Sequence, residues 1–522
     1  MELAVNVKTP QVRLNHLAEK EKEALKESVL QFMDTIAVAS SRATFYNTKA
    51  EVQSAVESIH QQLFGLERGI YGLALLLPGV NDYAMQTGIY KLLSENASDT
   101  NGALLNAAQE MILVKKLVDQ LPPQRVLNTF IILQQKRVNN SRTRRLILAT
   151  LLNSAKLELW SVKYRSKIRK VLVHAWGERS SSIIKSILLK DESIRTGKEK
   201  AILKDNIYKY LESNVNKHKV QSAIGFVMES KTAVSALPLH TSFRAAKVSL
   251  EDGRILPYEV LEGIRSTYHP SRKNEEVLEL TKAQLGKTQK MVFQRKAAEQ
   301  KVEVSFDPLE YDAVKLYIYA YEMGLTSEIR NALELKSQKL AESLPVSFGR
   351  TGILIDNSAS MKGNDTQKMH PISIALATKD VLAAASSEAH IRYGRKMLQA
   401  DNTLVKCSGD TSMGEGLVEL LEMNLDSIFI ISDGYENTPS GRIYELAAMA
   451  KAIGIFTPII HINPVMAAEA KGVRELGTGI STFPLNRPEA LGIGLMKSII
   501  SLDVEKGVSL LVGKSLALIA NQ

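Results

Sequence analysis

The apolar run Ile353-Leu354-Ile355 stops at Asp356, Ser358 and Ser360, an Asp-x-Ser-x-Ser pattern. A β-branched strand ending this way puts a carboxylate and two hydroxyls, spaced i, i+2, i+4, on one side of a turning loop. Such a loop is a nest of hard oxygen donors suited to a small divalent cation. Around it, strand-like and helix-like segments alternate: strand 352–355, helix 371–385, strand 427–431, helix 441–452, strand 455–462 and helix 488–500. That alternation predicts a doubly wound α/β domain with a parallel sheet, whose ligands bind outside the carboxyl ends of the strands.

Asp433 follows a second apolar strand, Ile428-Phe429-Ile430-Ile431, and Thr411 lies in a small-residue loop between the two. If these loops converge, Asp356, Ser358, Ser360, Thr411 and Asp433 supply two carboxylates and three hydroxyls. That set suits Mg²⁺ or Mn²⁺ and does not suit zinc or copper. With two formal charges facing a dication, the metal keeps the capacity to accept a carboxylate oxygen from a partner protein. No general base or nucleophile is spaced beside it, so a binding site is expected and not a catalytic one. The five residues resemble the metal-ion-dependent adhesion site of a von Willebrand factor A domain, over about residues 350–522.

Upstream the texture is different. From about residue 14 to 344, apolar residues recur at spacings of three and four, as in 19–37, 48–63, 103–120 and 124–135. Breaks at Pro78-Gly79, Pro122-Pro123, Asn139-Asn140-Ser141 and Thr196-Gly197 separate short helices. Many short helices joined by short turns predict an α-solenoid, and the boundary is set at 345/346, giving a helical domain 1–345 and an α/β domain 346–522. Charge divides the chain as well. Residues 136–209 hold 19 Lys and Arg against 6 Asp and Glu, whereas residues 351–522 hold 15 against 18.

Read as one helix at 100° per residue, residues 162–176 place Lys163, Lys167, Lys170 and His174 on one face, with Ile168, Val171, Leu172 and Ala175 as the apolar stripe. Arg165 and Arg169 flank the stripe. Ahead of it, Arg142, Arg144 and Arg145 open a helix where positive charge opposes the macrodipole, a disadvantage of about 0.3–1 kcal/mol each. With Lys136, Arg137, Arg179 and Lys185, these residues make a footprint for nucleic-acid phosphates. The charged stretch onward from Ser271 reads as a solvated helix face.

The single cysteine, Cys407, excludes an intrachain disulfide and a multi-thiolate zinc site, which favours a reducing, cytoplasmic setting. No apolar run approaches the ~18–20 residues a bilayer requires, so no membrane partner is expected.

A helical array followed by an A-type domain resembles the TROVE family, the Ro autoantigen and its bacterial relatives. The likeness rests on Arg42-Ala43-Thr44-Phe45-Tyr46, on Ile168-Arg169-Lys170-Val171-Leu172-Val173-His174-Ala175-Trp176, on Leu256-Pro257-Tyr258-Glu259-Val260-Leu261, and on the Asp356 nest. It implies a ring of HEAT-like repeats closed by the A domain, acting as a non-enzymatic monomer in RNA quality control. The RNA partners it implies are small structured Y-like RNA and the single-stranded ends of misfolded RNA, with an exoribonuclease such as polynucleotide phosphorylase as protein partner. The family's His-Lys-Asp-Leu-Leu-Arg-x-x-His run has no counterpart here; the nearest stretch, Lys204-Asp205-Asn206-Ile207-Tyr208-Lys209, lacks both histidines. The alternative reading is a metal-dependent adaptor that grips a partner's acidic residue without RNA.

Overall fold

The structure is a computed structural model that describes residues 19–38, 48–95, 104–230, 235–287, 289–291, 306–344, 346–363, 368–394, 403–436, 441–464 and 474–520. The stretch 42–46 and part of the charged segment, 292–305, lie outside the described residues. Among the described residues helix follows helix up to Ser327–Ser343, and the first strand begins at Phe348. A helical part followed by an α/β part is therefore the architecture. Packing divides the chain differently from texture. One compact unit comprises Met1–Gly88, Ala97–Leu117 and Pro308–Gln522, and the other Ile89–Asn96 and Val118–Asp307.

The helix starts follow local chemistry. Pro123 and Pro238 each open a helix, where a missing N–H costs nothing. Asn140 caps Ser141–Leu152 by accepting from the Thr143 amide, and Thr196 with Glu199 forms a capping box on Gly197–Asn206.

The first unit is built on a parallel five-stranded sheet of β1 (Phe348–Ile355), β2 (Ser386–Tyr393), β3 (Ser427–Ile431), β4 (Ile459–Asn463) and β5 (Ser481–Pro484), in the order β2-β1-β3-β4-β5. Side-chain alternation along the inner strands gives each face its core. Leu354, Ile428 and Ile430 pack with Leu417 and Leu420 of helix Gly414–Leu421 and with Ile443 of helix Arg442–Ala452. At Gly352 a Cβ would lie 2.8 Å from the end of the Leu425 side chain, so a larger residue there would have to push that leucine aside.

This unit also takes in the start of the chain. Helix Glu19–Val38 packs on helix Leu491–Leu502, and Val504–Ala520 packs on Arg68–Ala74. Lys497 Nζ pairs with Asp34 Oδ2 at 2.8 Å, and Arg487 Nη2 donates to the carbonyls of Gly79 (3.0 Å) and Val80 (2.6 Å). Gly79 has φ +87°, and the Glu489 carbonyl oxygen lies 2.3 Å from where a Cβ would stand, so any side chain there would collide with backbone.

In the second unit, helix Arg165–Trp176 packs against Pro123–Gln135, Ser141–Leu152 and Glu178–Leu188. A separate core of Val162, Phe226, Leu256, Leu261 and Val277 lies under the later helices. Into that core is set His240, stacked on Phe226 with ring centroids 3.9 Å apart. Ser161 Oγ donates to the Glu158 carbonyl, so it accepts from His240 Nε2 at 2.6 Å, while Nδ1 accepts from Ser235 Oγ at 2.7 Å.

Burial holds the His240 pKa down to about 4. The unfolded chain takes up the proton first, near 6.5, so the stability contributed by neutral His240 is present above that pH and is lost as pH falls toward 4. In urea unfolding, the stability gap between the wild type and His240→Gln is expected to narrow by on the order of 3 kcal/mol between pH 6.5 and 4. A gap that does not change with pH would contradict this.

Candidate functional site

The sheet itself assembles the first candidate site. β1 and β3 run parallel with Ile355 opposite Ile431, and the Asp356 amide donates to the Ile431 carbonyl at 2.9 Å. Asp356 and Asp433 therefore leave the carboxyl ends of adjacent central strands side by side. The loop carrying Thr411 is drawn against them by two backbone hydrogen bonds, Ala359 N to Gly409 O (2.9 Å) and Ser408 N to Asn357 O (3.0 Å). Asp356, Ser358, Thr411 and Asp433 are buried; Ser360 is exposed, with its hydroxyl 2.9 Å from that of Ser358.

Asp356 Oδ1 accepts from the Ser358 amide at 2.8 Å, and Oδ2 accepts from Ser432 Oγ at 3.1 Å. Asp433 Oδ1 accepts from the Tyr435 amide at 3.0 Å. These bonds aim the carboxylates but do not neutralise them. Burial, with the Asp433 charge adding to it against the opposing hydrogen bonds, pushes the Asp356 carboxyl up to about 6. Thr411 Oγ1 is buried with no hydrogen-bond partner among the described residues. An orphaned hydroxyl beside two crowded carboxylates fits a hard divalent cation, which would satisfy the first and relieve the second. No group of three or more His, Cys, Asp or Glu suited to a metal occurs among the described residues, so this donor set depends on its hydroxyls.

Ser432 is not among the residues singled out by sequence, although it holds Asp356 Oδ2 and accepts from the Gly434 amide at 3.1 Å. Its position in Ile431-Ser432-Asp433-Gly434, directly before a candidate ligand, is the signal that could have found it.

The basic segment is arranged otherwise than expected. Residues 162–176 are two helices, Leu157–Lys163 and Arg165–Trp176, broken at Tyr164 with φ −122° and ψ 23°. Lys163 ends the first of these helices, apart from Lys167, Lys170 and His174 on the second, and pairs with Glu259 at 3.0 Å. Lys167 donates to Asn128 Oδ1 at 2.8 Å, Arg165 bonds the Ser230 hydroxyl and lies over the Phe243 ring, and Lys185 pairs with Glu229 at 3.0 Å. His174 bonds the Val138 carbonyl through Nε2 at 2.9 Å. Arg142 donates to the carbonyls of Leu92 and Glu95, which satisfies the end of helix Asp82–Ser94 and accounts for an arginine placed against the macrodipole.

Seven candidates remain exposed with no acidic partner among the described residues: Lys136, Arg137, Arg144, Arg145, Arg169, Lys170 and Arg179. Lys136 lies over the Tyr90 ring and Arg144 bonds the Asn139 carbonyl. The Asn139 side chain in turn donates to the His174 carbonyl at 2.8 Å, which joins the 136–145 turn to the end of helix Arg165–Trp176. Sequence reasoning missed the aromatic neighbours: Lys247 lies over Phe243, four residues before it, and over Tyr268, 21 residues after it.

Neither helix Glu19–Val38 nor any other among the described residues is long and apolar enough to cross a membrane. No protein-family model matches the chain, and no curated protein sequence matches it. Among solved structures it is similar to the crystal structure of the Deinococcus radiodurans RO (RSR) protein, with 12% identity over 98% of each chain and a TM-score of 0.32.

Proposed function

We propose that this chain is an RNA-binding protein of the TROVE type, in which the basic helical unit holds structured RNA. The observation that supports this most directly is the set of seven exposed, unneutralised cations on and beside a helix anchored by Ile168, Val171, Leu172 and Ala175. Charges left without acidic partners on a rigid support keep their counterions until a polyanion displaces them. The partners in this reading are small Y-like RNA and the ends of misfolded RNA, in non-enzymatic quality control in the cytoplasm beside an exoribonuclease such as polynucleotide phosphorylase. Sequencing the RNA that copurifies with the full chain tests it. Recovery of small structured RNA above that of a neutral control protein is expected, and its absence would contradict the reading.

A second role is favoured by the buried, unpartnered Thr411 hydroxyl. Here Asp356, Ser358, Ser360, Thr411 and Asp433 hold Mg²⁺ or Mn²⁺, which takes a carboxylate from a partner protein. Capture of such a partner is expected to be lost on washing with EDTA and regained with Mg²⁺. Capture unaffected by EDTA would remove the metal from the contact.

A further inference from the structure

At the opposite end of the sheet from Asp356 and Asp433 lies a cavity of about 340 Å³. It is framed by the first residues of β1, β4 and β5 (Phe348, Ile459 and Ser481) and by the later turns of helices Arg442–Ala452 and Leu491–Leu502. At roughly 3.3 Å per strand residue, about 20–25 Å of sheet separates it from the carboxylate cluster, so the two are chemically independent. Its size falls within the range of small-molecule sites, about 300–1,000 Å³.

The walls are apolar, from Leu421, Ile455, Ile480, Leu495 and Ile499. At the mouth, Phe456 and Leu502 are each 75% exposed, an unusual presentation of two large apolar side chains around one opening. Among the described residues lining the cavity, Lys451 is the one that is charged. It is exposed, has no acidic partner among the described residues, and its Nζ reaches to 3.9 Å from the position a Cβ would take on Gly479. The hydroxyls of Ser481 and Ser498 face one another at 3.4 Å, a separation too long for a strong mutual bond.

We propose that this cavity binds an amphiphilic monocarboxylate, a medium-chain fatty acid, with its chain among the apolar walls and its head group at Lys451. One compact ammonium, with no second cation among the described lining residues, matches a single negative charge; a phosphate dianion would be left half compensated. The chain would also cover Phe456 and Leu502, removing their apolar surface from water.

The test is calorimetric titration of the full chain with decanoate and, separately, with decanol, both below the concentrations at which they aggregate. Saturable binding of one decanoate per chain is expected, tighter than that of decanol. Lys451→Gln is expected to weaken decanoate roughly three- to fivefold, the scale of one exposed ion pair, and to leave decanol unchanged. Ser498→Phe, which fills the cavity, is expected to abolish both. Should that variant misfold by circular dichroism, Leu502→Glu at the exposed mouth serves instead and is expected to weaken decanoate more than decanol. The proposal is overturned if neither ligand gives saturable heat, if decanoate and decanol bind alike and Lys451→Gln alters neither, or if a folded Ser498→Phe or Leu502→Glu variant binds decanoate as the wild type does.

Discussion

Replacing Asp356 by asparagine is expected to stabilise the metal-free protein and to remove its response to Mg²⁺. The Asp356 carboxyl is held at about 6 in the fold, against 3.8 as its ordinary value. Above pH 6 it is ionised at a cost that the unfolded chain does not bear. The sign follows: stability associated with this group is greatest below pH 3.8 and falls as pH rises to 6. Ionising a carboxyl held this far above its ordinary value costs the fold about 3 kcal/mol, an upper figure because asparagine rearranges the bonds to Ser358 and Ser432. The metal-free variant should therefore melt several degrees higher at pH 7.

Magnesium should reverse the order. At a thousandfold excess over its Kd, a cation that binds only the folded chain adds about 4.1 kcal/mol. The wild type gains that and the variant does not. Because the cation competes with a proton on Asp356, its apparent affinity should fall by up to about tenfold per pH unit below 6. Thermal melts with and without Mg²⁺ check all three. A variant that melts lower without metal, together with a wild type indifferent to Mg²⁺, would contradict the account.

The second large effect concerns the basic surface. Simultaneous Arg144→Glu, Arg145→Glu, Arg169→Glu and Lys170→Glu substitutions are expected to reduce affinity for a structured RNA by roughly a hundredfold or more at moderate salt. The slope of log affinity against log salt should become shallower by about 3, at roughly 0.7–0.9 per lost phosphate contact. Lys163→Glu should do far less, because Lys163 already pairs with Glu259. Of the substitutions Lys163→Glu, Lys167→Glu and Lys170→Glu, the last should therefore carry most of the loss. Anisotropy titrations across salt concentrations separate these cases. An equal loss from Lys163→Glu would mean that the ion pair is exchanged for phosphate and that the surface lies elsewhere.

Much of the α/β part is legible in the sequence because its inner strands carry continuous apolar runs: β3 is expected at residues 427–431 and lies there. β2 and β5 are not legible in the same way. Both are edge strands, and Ser386–Tyr393 is polar and half-exposed while Ser481–Pro484 is only four residues long. Helix starts at residues 123, 141 and 197 are marked by proline and capping residues. The break at Tyr164 carries no such mark, since neither glycine nor proline stands there, and the periodicity runs across it as one continuous face.

The carboxylate cluster is readable because each of its residues follows a strand or a small-residue loop. Ser432 is hidden by its role, which is to hold Asp356 in place. Which lysines and arginines are free is not readable at all, because the partners of Lys163, Lys167 and Lys185 lie 96, 39 and 44 residues away. The same holds for the tie between Arg487 and Gly79, which spans 408 residues of sequence and places the first helices in one unit with the sheet.

Ultraviolet crosslinking of the full chain to the RNA it carries, followed by mass mapping of the crosslinked peptides, reads the RNA surface directly. Crosslinks concentrated in peptides spanning residues 136–145 and 165–179 are the predicted result. Crosslinks confined to residues 350–520, with none in the basic helices, would contradict it.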